Sequence, residues 1–407
     1  MAPGEAAPGE EERAEAGSAR YRRAMIALFC AGLATFAQLY SPQGLLPEIA
    51  RAYGVGESAS SWAVGAATIG VALGVLPWAR LSDRVGRVRA MRWAMVCAMV
   101  IGLIAPFAPG FVSMIAIRGA EGVALAGLPA IAVTALAETI HPRALGAAVG
   151  SYVAGTTLGG LSGRIVAGLA GDPLGWRWGM ATVAVLAAVA TVAFLVLIPP
   201  TALRPGPGMS MVRATLQNLR TPGVAVLVAQ GFLLMGGFVA AYNYLTFRLE
   251  QAPFGLSLAQ VSWLFLAYLA GAATSRWVWR IARRRAPTAV LLGCVAVMLV
   301  GLAATLAPRL PIVILGLVLF TGGFFGAHSI ASGLISRRAG EARSQAPPLY
   351  NLGYYAGSSL LGWLGGLAFA AWGWGGTAAT IAAAAALAGL MAWGYARSNG
   401  GIAAVDA

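Results

Sequence analysis

The sequence predicts an all-α membrane protein with twelve transmembrane helices arranged as two pseudo-symmetric six-helix halves, and three observations carry that prediction. Of 407 residues, 59% are apolar and only 10% charged, with 54 glycines, whereas soluble domains carry about a quarter charged residues. The apolar residues fall into runs of about twenty, the length needed to cross a hydrocarbon core. The 28 basic residues, all of them arginine, collect in alternate loops. With the runs placed as below, 22 arginines lie on one side, counting Arg92 and Arg276 near the ends of their spans, four (Arg51, Arg177, Arg248, Arg309) on the other, and Arg118 and Arg164 deeper within spans. A net charge of +14 sorted in this way marks membrane topology rather than a nucleic-acid surface. The arginine-rich side is expected to be cytoplasmic, which puts both termini there in a bacterial-type inner membrane.

Taking the chain in order, residues 1–19 are a tail of Ala, Gly, Pro and Glu with too little apolar matter to fold, expected to be disordered. Arg20, Arg22 and Arg23 then anchor the first span, Ala24–Leu46, which is longer than a signal-peptide core. Spans at Ser61–Ala79, Ala90–Phe107, Phe111–Leu136, Ala144–Leu169 and Trp178–Ile198 complete a half over residues 20–198, with Pro109 and Asp172-Pro173 marking short turns. Residues 199–223, with Arg204, Arg213 and Arg220, read as a linker. The second half, 224–396, holds spans at Val224–Phe247, Leu258–Trp279, Ala289–Leu306, Ile312–Ile335, Leu349–Phe369 and Thr377–Ala396, before an inner tail at 397–407. Cys30, Cys97 and Cys294 lie singly in apolar runs and the only histidines are His141 and His328. Neither a disulfide framework, a metal site, a cofactor nor an enzyme's catalytic constellation is indicated.

The halves repeat. Tyr152-Val-Ala-Gly-Thr-Thr-Leu-Gly-Gly160 aligns with Tyr354-Tyr-Ala-Gly-Ser-Ser-Leu-Leu-Gly362, so the fifth span corresponds to the eleventh, and Arg80-Leu-Ser-Asp-Arg84 falls on Arg280-Ile-Ala-Arg-Arg284. Repeated halves of this kind place a site near the midplane, where they meet.

The stretch Ala79-Arg-Leu-Ser-Asp-Arg-Val-Gly-Arg-Val-Arg-Ala-Met-Arg92 sets five arginines and Asp83 at the junction of the second and third spans. It resembles the loop signature of the major facilitator superfamily, Gly-x-Leu-Ala-Asp-Arg-x-Gly-Arg-Arg, with Leu81, Asp83, Arg84, Gly86, Arg87 and Arg89 in place and Ala79 for the first glycine. The resemblance implies a conformational latch of Asp83, Arg84, Gly86 and Arg87. In it the Asp83 carboxylate faces the amino end of the eleventh span, near Pro347 and Pro348, where unpaired N–H groups favour an anion.

Further motifs extend the likeness. Ile117-Arg-Gly-Ala-Glu-Gly122 resembles the superfamily's Arg-x-x-Gln-Gly, with Glu121 for Gln. Arg118 and Glu121, three apart, share a helix face. Counting about 1.5 Å per residue puts Glu121 roughly 15 Å deep, where an ionisable group is by default a functional candidate. Glu121 is therefore the expected proton carrier, and a permanent pair with Arg118 the alternative. In the fifth span Gly146, Gly155, Gly159, Gly160, Gly163 and Arg164 follow the superfamily's antiporter spacing, with Gly160 for its proline and Arg164 for its last glycine. The same small residues also suit plain helix packing. Arg164, about 30 Å along its helix by the same count, can snorkel to the outer interface and need not take part in transport chemistry.

In the second half Tyr242, Asn243, Tyr350, Asn351, Tyr354 and Ser358 are candidate substrate contacts, suited to an apolar ligand with a few hydrogen-bonding points. Tyr242 and Tyr244 also fit an interfacial belt. His328 is a second candidate for proton coupling. Tyr40-Ser-Pro-Gln-Gly-Leu-Leu-Pro-Glu48 and Ala327-His-Ser-Ile-Ala-Ser-Gly333 further resemble the bacterial drug/proton antiporter branch that includes arabinose-efflux-like permeases. That likeness implies a monomer in the lipid bilayer that exports a small molecule against protons by alternating access. The rival expectation is a facilitator or importer of a small polar solute without a proton step.

Overall fold

The computed structural model describes residues 13–200, 219–338 and 346–398, and these are helical nearly throughout. The first half comprises α1 (Ala19–Tyr53), α2 (Glu57–Val85), α3 (Arg87–Phe107), α4 (Phe111–Thr139), α5 (Pro142–Leu174) and α6 (Trp176–Leu197). The second comprises α7 (Pro222–Glu250), α8 (Leu258–Ala282), α9 (Pro287–Ala304), α10 (Leu310–Arg338) and two helices within Ala346–Ser398. Trp372 (φ −137°, ψ 16°) and Gly373 (φ 60°, ψ −154°) break that last stretch into α11 (346–371) and α12 (374–398). The left-handed φ at Gly373 is one that residues with a Cβ rarely adopt.

Local chemistry sets the starts and breaks. The Ser18 side chain accepts from the Tyr21 N–H to cap α1. Proline opens α5, α7 and α9, where its missing N–H costs nothing. The first turn of α8 carries a reciprocal Ser257/Gln260 capping box. Helix α1 is interrupted after Tyr40 by a 3-10 turn at Gln43–Leu45 and resumes at Leu46–Tyr53, a region that Pro42 and Pro47 keep from forming a continuous ladder. A second interruption, at Ala126 in α4, lies four residues before Ala130, with Pro129 unable to donate back into the preceding turn. Outward faces are apolar, as Val185, Val189, Val192 and Val196 of α6 show, which suits contact with lipid tails.

The residues ahead of α1 differ from the expected free tail. Residues 1–12 lie outside the described set, but the Ala14 N–H donates to the Thr139 carbonyl (2.8 Å) and the Ala14 carbonyl accepts from the His141 N–H (3.1 Å). This short bridge pins the chain across the α4–α5 turn. Residues 201–218 of the linker, with Arg204 and Arg213, and residues 399–407 of the inner tail also lie outside the described set.

Hydrogen bonds between the halves gather at the end away from the arginine-rich loops. Gln43 Nε2 donates to Asn243 Oδ1 (2.8 Å), Arg51 pairs with Glu250 (2.9 Å), and Thr68 Oγ1 lies 2.6 Å from Ser359 Oγ. Ser58 Oγ reaches the Trp363 carbonyl (3.4 Å), and the Ala259 N–H reaches Asp172 Oδ1 (3.3 Å). At the arginine-rich end Asp83 and Arg84 are exposed.

Candidate functional site

Two buried arginines define the centre, and both grip the interrupted part of α1. Arg118 of α4 is 1% exposed, as is Glu121, and Nη1 of the arginine donates to Glu121 Oε2 at 2.6 Å. Its remaining donors reach backbone carbonyls left accessible by neighbouring helices: Ala63 of α2 (2.8 Å), and Gln38 (3.2 Å) and Leu39 (2.7 Å) of α1. Gln38, in the amide orientation that satisfies its neighbours, donates to Glu121 Oε1 (3.2 Å) and to the Ala98 carbonyl of α3 (3.1 Å). One acid and one base thus tie four helices together, and every oxygen and donor group of the pair is engaged.

Arg164 of α5 does not snorkel outward. It is 2% exposed, because α5 runs on to Leu174 and leaves the guanidinium about 15 Å short of the helix end. The guanidinium carbon sits 4.2 Å from the Tyr40 ring centroid, 4.7 Å from that of Tyr268 and 5.4 Å from that of Phe265. Its Nε donates to Gln43 Oε1 (2.6 Å) and Nη1 to the Gly160 carbonyl one turn back. Gln43 passes the contact on to Asn243 of α7. Arg164 therefore lies in the seam between the halves, held by α1 and α5 on one side and α8 on the other.

From this cation an aromatic wall continues through the second half. Tyr242 stacks on Phe265 (5.2 Å) and donates to or accepts from Thr321 (2.7 Å). Phe238 packs on Tyr268 (5.4 Å) and Phe324 (4.0 Å), and Phe324 stacks on His328 (5.8 Å). His328 Nδ1 lies 2.8 Å from the Tyr350 hydroxyl, with the Tyr354 ring 5.1 Å away. Tyr242 and Tyr244 are buried rather than interfacial, the latter donating to the Gly362 carbonyl (2.8 Å). The Ser358 hydroxyl is buried without a partner, and Asn351 is half-buried two turns away on α11.

The loop between α2 and α3 turns on Gly86, whose φ of 95° favours glycine. Asp83 pairs with Arg87, and Arg87 also reaches Glu138 at the end of α4 (3.1 Å). Among the described residues no hydrogen bond or ion pair joins Asp83 to the start of α11.

The glycines of α5 divide into two groups. A Cβ on Gly155, Gly159 or Gly163 would come within 2.3, 2.3 and 2.5 Å of the carbonyl oxygens of Phe29, Leu33 and Ala37, so these three form a flush seam against α1. Gly146 has nothing within 4 Å, and Gly160 serves Arg164 through its carbonyl. The equivalent seam joins α11 to α7, where a Cβ on Gly357 would meet the Phe232 carbonyl at 2.0 Å.

Residues 24–361 match the family model described as Major Facilitator Superfamily. The chain belongs to the Major Facilitator Superfamily. It is 37% identical over 372 residues to the uncharacterized MFS-type transporter YybF of Bacillus subtilis, covering 90% of this chain and 91% of the relative. It is also 37% identical over 372 residues to the inner membrane transport protein YnfM of Escherichia coli, covering 90% and 88%. Among solved structures, a bacterial homolog of the human lysosomal transporter Spinster in an inward-facing, occupied conformation superposes with a TM-score of 0.72, at 14% identity and covering 94% and 98% of the two chains. The chain is thus a multi-pass membrane transporter of the superfamily and not an enzyme. Sequence reasoning missed the box of Tyr40, Phe265 and Tyr268, together with Gln38 and Gln43. The signal was available: two glutamines and a tyrosine flank the proline that interrupts the first superfamily helix.

Proposed function

We propose that this transporter exports a small amphipathic molecule by proton antiport through alternating access, with the arginine-rich end and both termini in the cytoplasm. The halves meet at the opposite end, so this conformation would receive substrate from inside. The observation that carries the reading is the position of Glu121. Among the described residues it is the one fully buried carboxylate, and its partner Arg118 grips the same stretch of α1, Gln38 to Gln43, that Arg164 grips from the seam. Protonating Glu121 removes the anion from Arg118 and leaves the arginine to the three carbonyls. A change in how α1 is held at Gln38 and Leu39 then reaches Tyr40 and Gln43, and through Gln43 the second half. Such a two-state element, biased from both sites, is the physical requirement for coupling. His328, in contact with Tyr350 and Tyr354, is the second group that could take part.

Facilitated passage of a small polar solute is favoured instead by one feature, the closure of the Arg118–Glu121 network to solvent. Proteoliposomes loaded with a pH dye and made acidic inside separate the two. Addition of substrates from a small-molecule library should dissipate the acid interior only where they are transported, if transport is antiport; flux with no change in dye signal would mean facilitation.

A further inference from the structure

We propose that Arg164 is the recognition site for an acidic group on the substrate, which makes the cargo an organic carboxylate with an aromatic or apolar body. Arg164 is a full charge in the membrane interior, and charges there are otherwise neutralised or hydrated. Arg118 shows how this chain satisfies such a charge, with a carboxylate at 2.6 Å. Among the described residues Arg164 has no acidic partner. Its Nε and Nη1 are engaged, but Nη2 donates to no described group. The rings of Tyr40, Tyr268 and Phe265 face the cation through their electron-rich π-systems, which attract it without neutralising it.

A second observation points to a ligand. The Tyr40 hydroxyl, on the residue whose ring lies nearest to the guanidinium, is buried and has no hydrogen-bond partner. Buried hydroxyls are ordinarily satisfied. Two neighbouring side chains therefore each keep an unspent donor, and a carboxylate offers an acceptor oxygen to each. Guanidinium suits that role because it keeps its charge when desolvated, and it can hold Gln43 and Gly160 through Nε and Nη1 while Nη2 meets one carboxylate oxygen. The aromatic wall running from Tyr268 past Phe324 to Tyr354 supplies the surface for an apolar body. Since Arg164 is in contact with α1, α5 and α8, an anion bound there touches the seam that must open during transport.

The inference rests on the export reading and names its substrate class, but its test uses no gradient. Three probes of matched shape are compared on the detergent-purified full chain by thermal shift and calorimetry: 3-phenylpropionate, 3-phenylpropionamide and 3-phenylpropylamine. The expected result is that only the carboxylate stabilises the protein, with affinity at least tenfold above the amide. Arg164→Gln should abolish that preference and Arg164→Lys should retain part of it. The amide or the amine binding as well as the acid, no binding of any of the three, or an unchanged preference in Arg164→Gln would each overturn the assignment. Should Arg164→Gln fail to fold, the wild-type ranking of the three probes decides alone. A failure here leaves proton coupling intact, and loss of pH-driven flux leaves the ranking intact.

Discussion

Arg118 and Arg164 are equally buried and hold adjacent parts of one helix, yet the protein satisfies them in opposite ways. Arg118 has its own carboxylate and three backbone carbonyls. Arg164 has one amide oxygen, one carbonyl and three aromatic rings, and no anion among the described residues. A cation–π contact contributes about 0.5–2 kcal/mol, less than the several kcal/mol needed to desolvate an ion. The difference teaches that the first arginine is neutralised by a carboxylate within its own half, while the second is left under-satisfied where the halves meet. Under-satisfied groups are poised to bind something else.

The sharpest way to break this contrast is to delete the anion from the satisfied site. Glu121→Ala strands a buried guanidinium and should cost about 3–5 kcal/mol, read as a large fall in melting temperature in detergent. Arg164→Gln removes an uncompensated charge and leaves two acceptors to be satisfied by the new amide, so its cost should stay below about 2 kcal/mol. Equal losses would mean that Arg164 is as fully satisfied as Arg118.

The seam that carries Arg164 is the next target. Gly159→Val places a branched side chain where even a Cβ would lie 2.3 Å from the Leu33 carbonyl, and overpacking of this kind costs about 1–3 kcal/mol or more. Because α5 is pushed off α1, the variant should also weaken the hold of Arg164 on Gln43. Gly146→Ala, in open space, should be neutral or stabilising by up to about 1 kcal/mol through helix propensity. Comparing the two melting temperatures checks the division of the glycine motif. Matching losses would return Gly146 to the packing interface.

The smallest stability effect is expected outside both sites. Asp83 is half exposed and paired with Arg87, an arrangement contributing about 0–1 kcal/mol. Asp83→Asn should leave the melting temperature nearly unchanged while slowing transport several-fold, if its carboxylate serves the alternate conformation by meeting the amino end of α11. Wild-type transport rates at equal protein amounts would remove the latch role.

How much was legible in the sequence follows the physics of each signal. Apolar run length and arginine placement identify twelve helices, because lipid demands both continuously along the chain. The breaks inside α1 and α4 were not read, although Pro42, Pro47 and Pro129 stand beside them, since a proline in a span can also be absorbed as a kink. The pairing of Arg118 with Glu121 follows from a three-residue spacing on one helix. The surroundings of Arg164 depend on residues far apart in sequence and on where α5 ends, which a count from its apolar start misjudged. Tyr242 and Tyr244 were open to a belt reading because distance along a helix does not tell which way a side chain faces.

The central claim is that Glu121 carries the coupled proton, and Glu121→Gln tests it most directly. Glutamine restores the residue type of the superfamily signature and keeps a hydrogen-bonding partner for Arg118, so the fold and substrate binding should be preserved. Transport is measured in proteoliposomes with and without an imposed pH difference. The account predicts that the variant equilibrates substrate at a rate independent of the pH difference and never concentrates it. If the variant still concentrates substrate in proportion to the imposed pH difference, Glu121 is a structural partner of Arg118 and does not carry the proton.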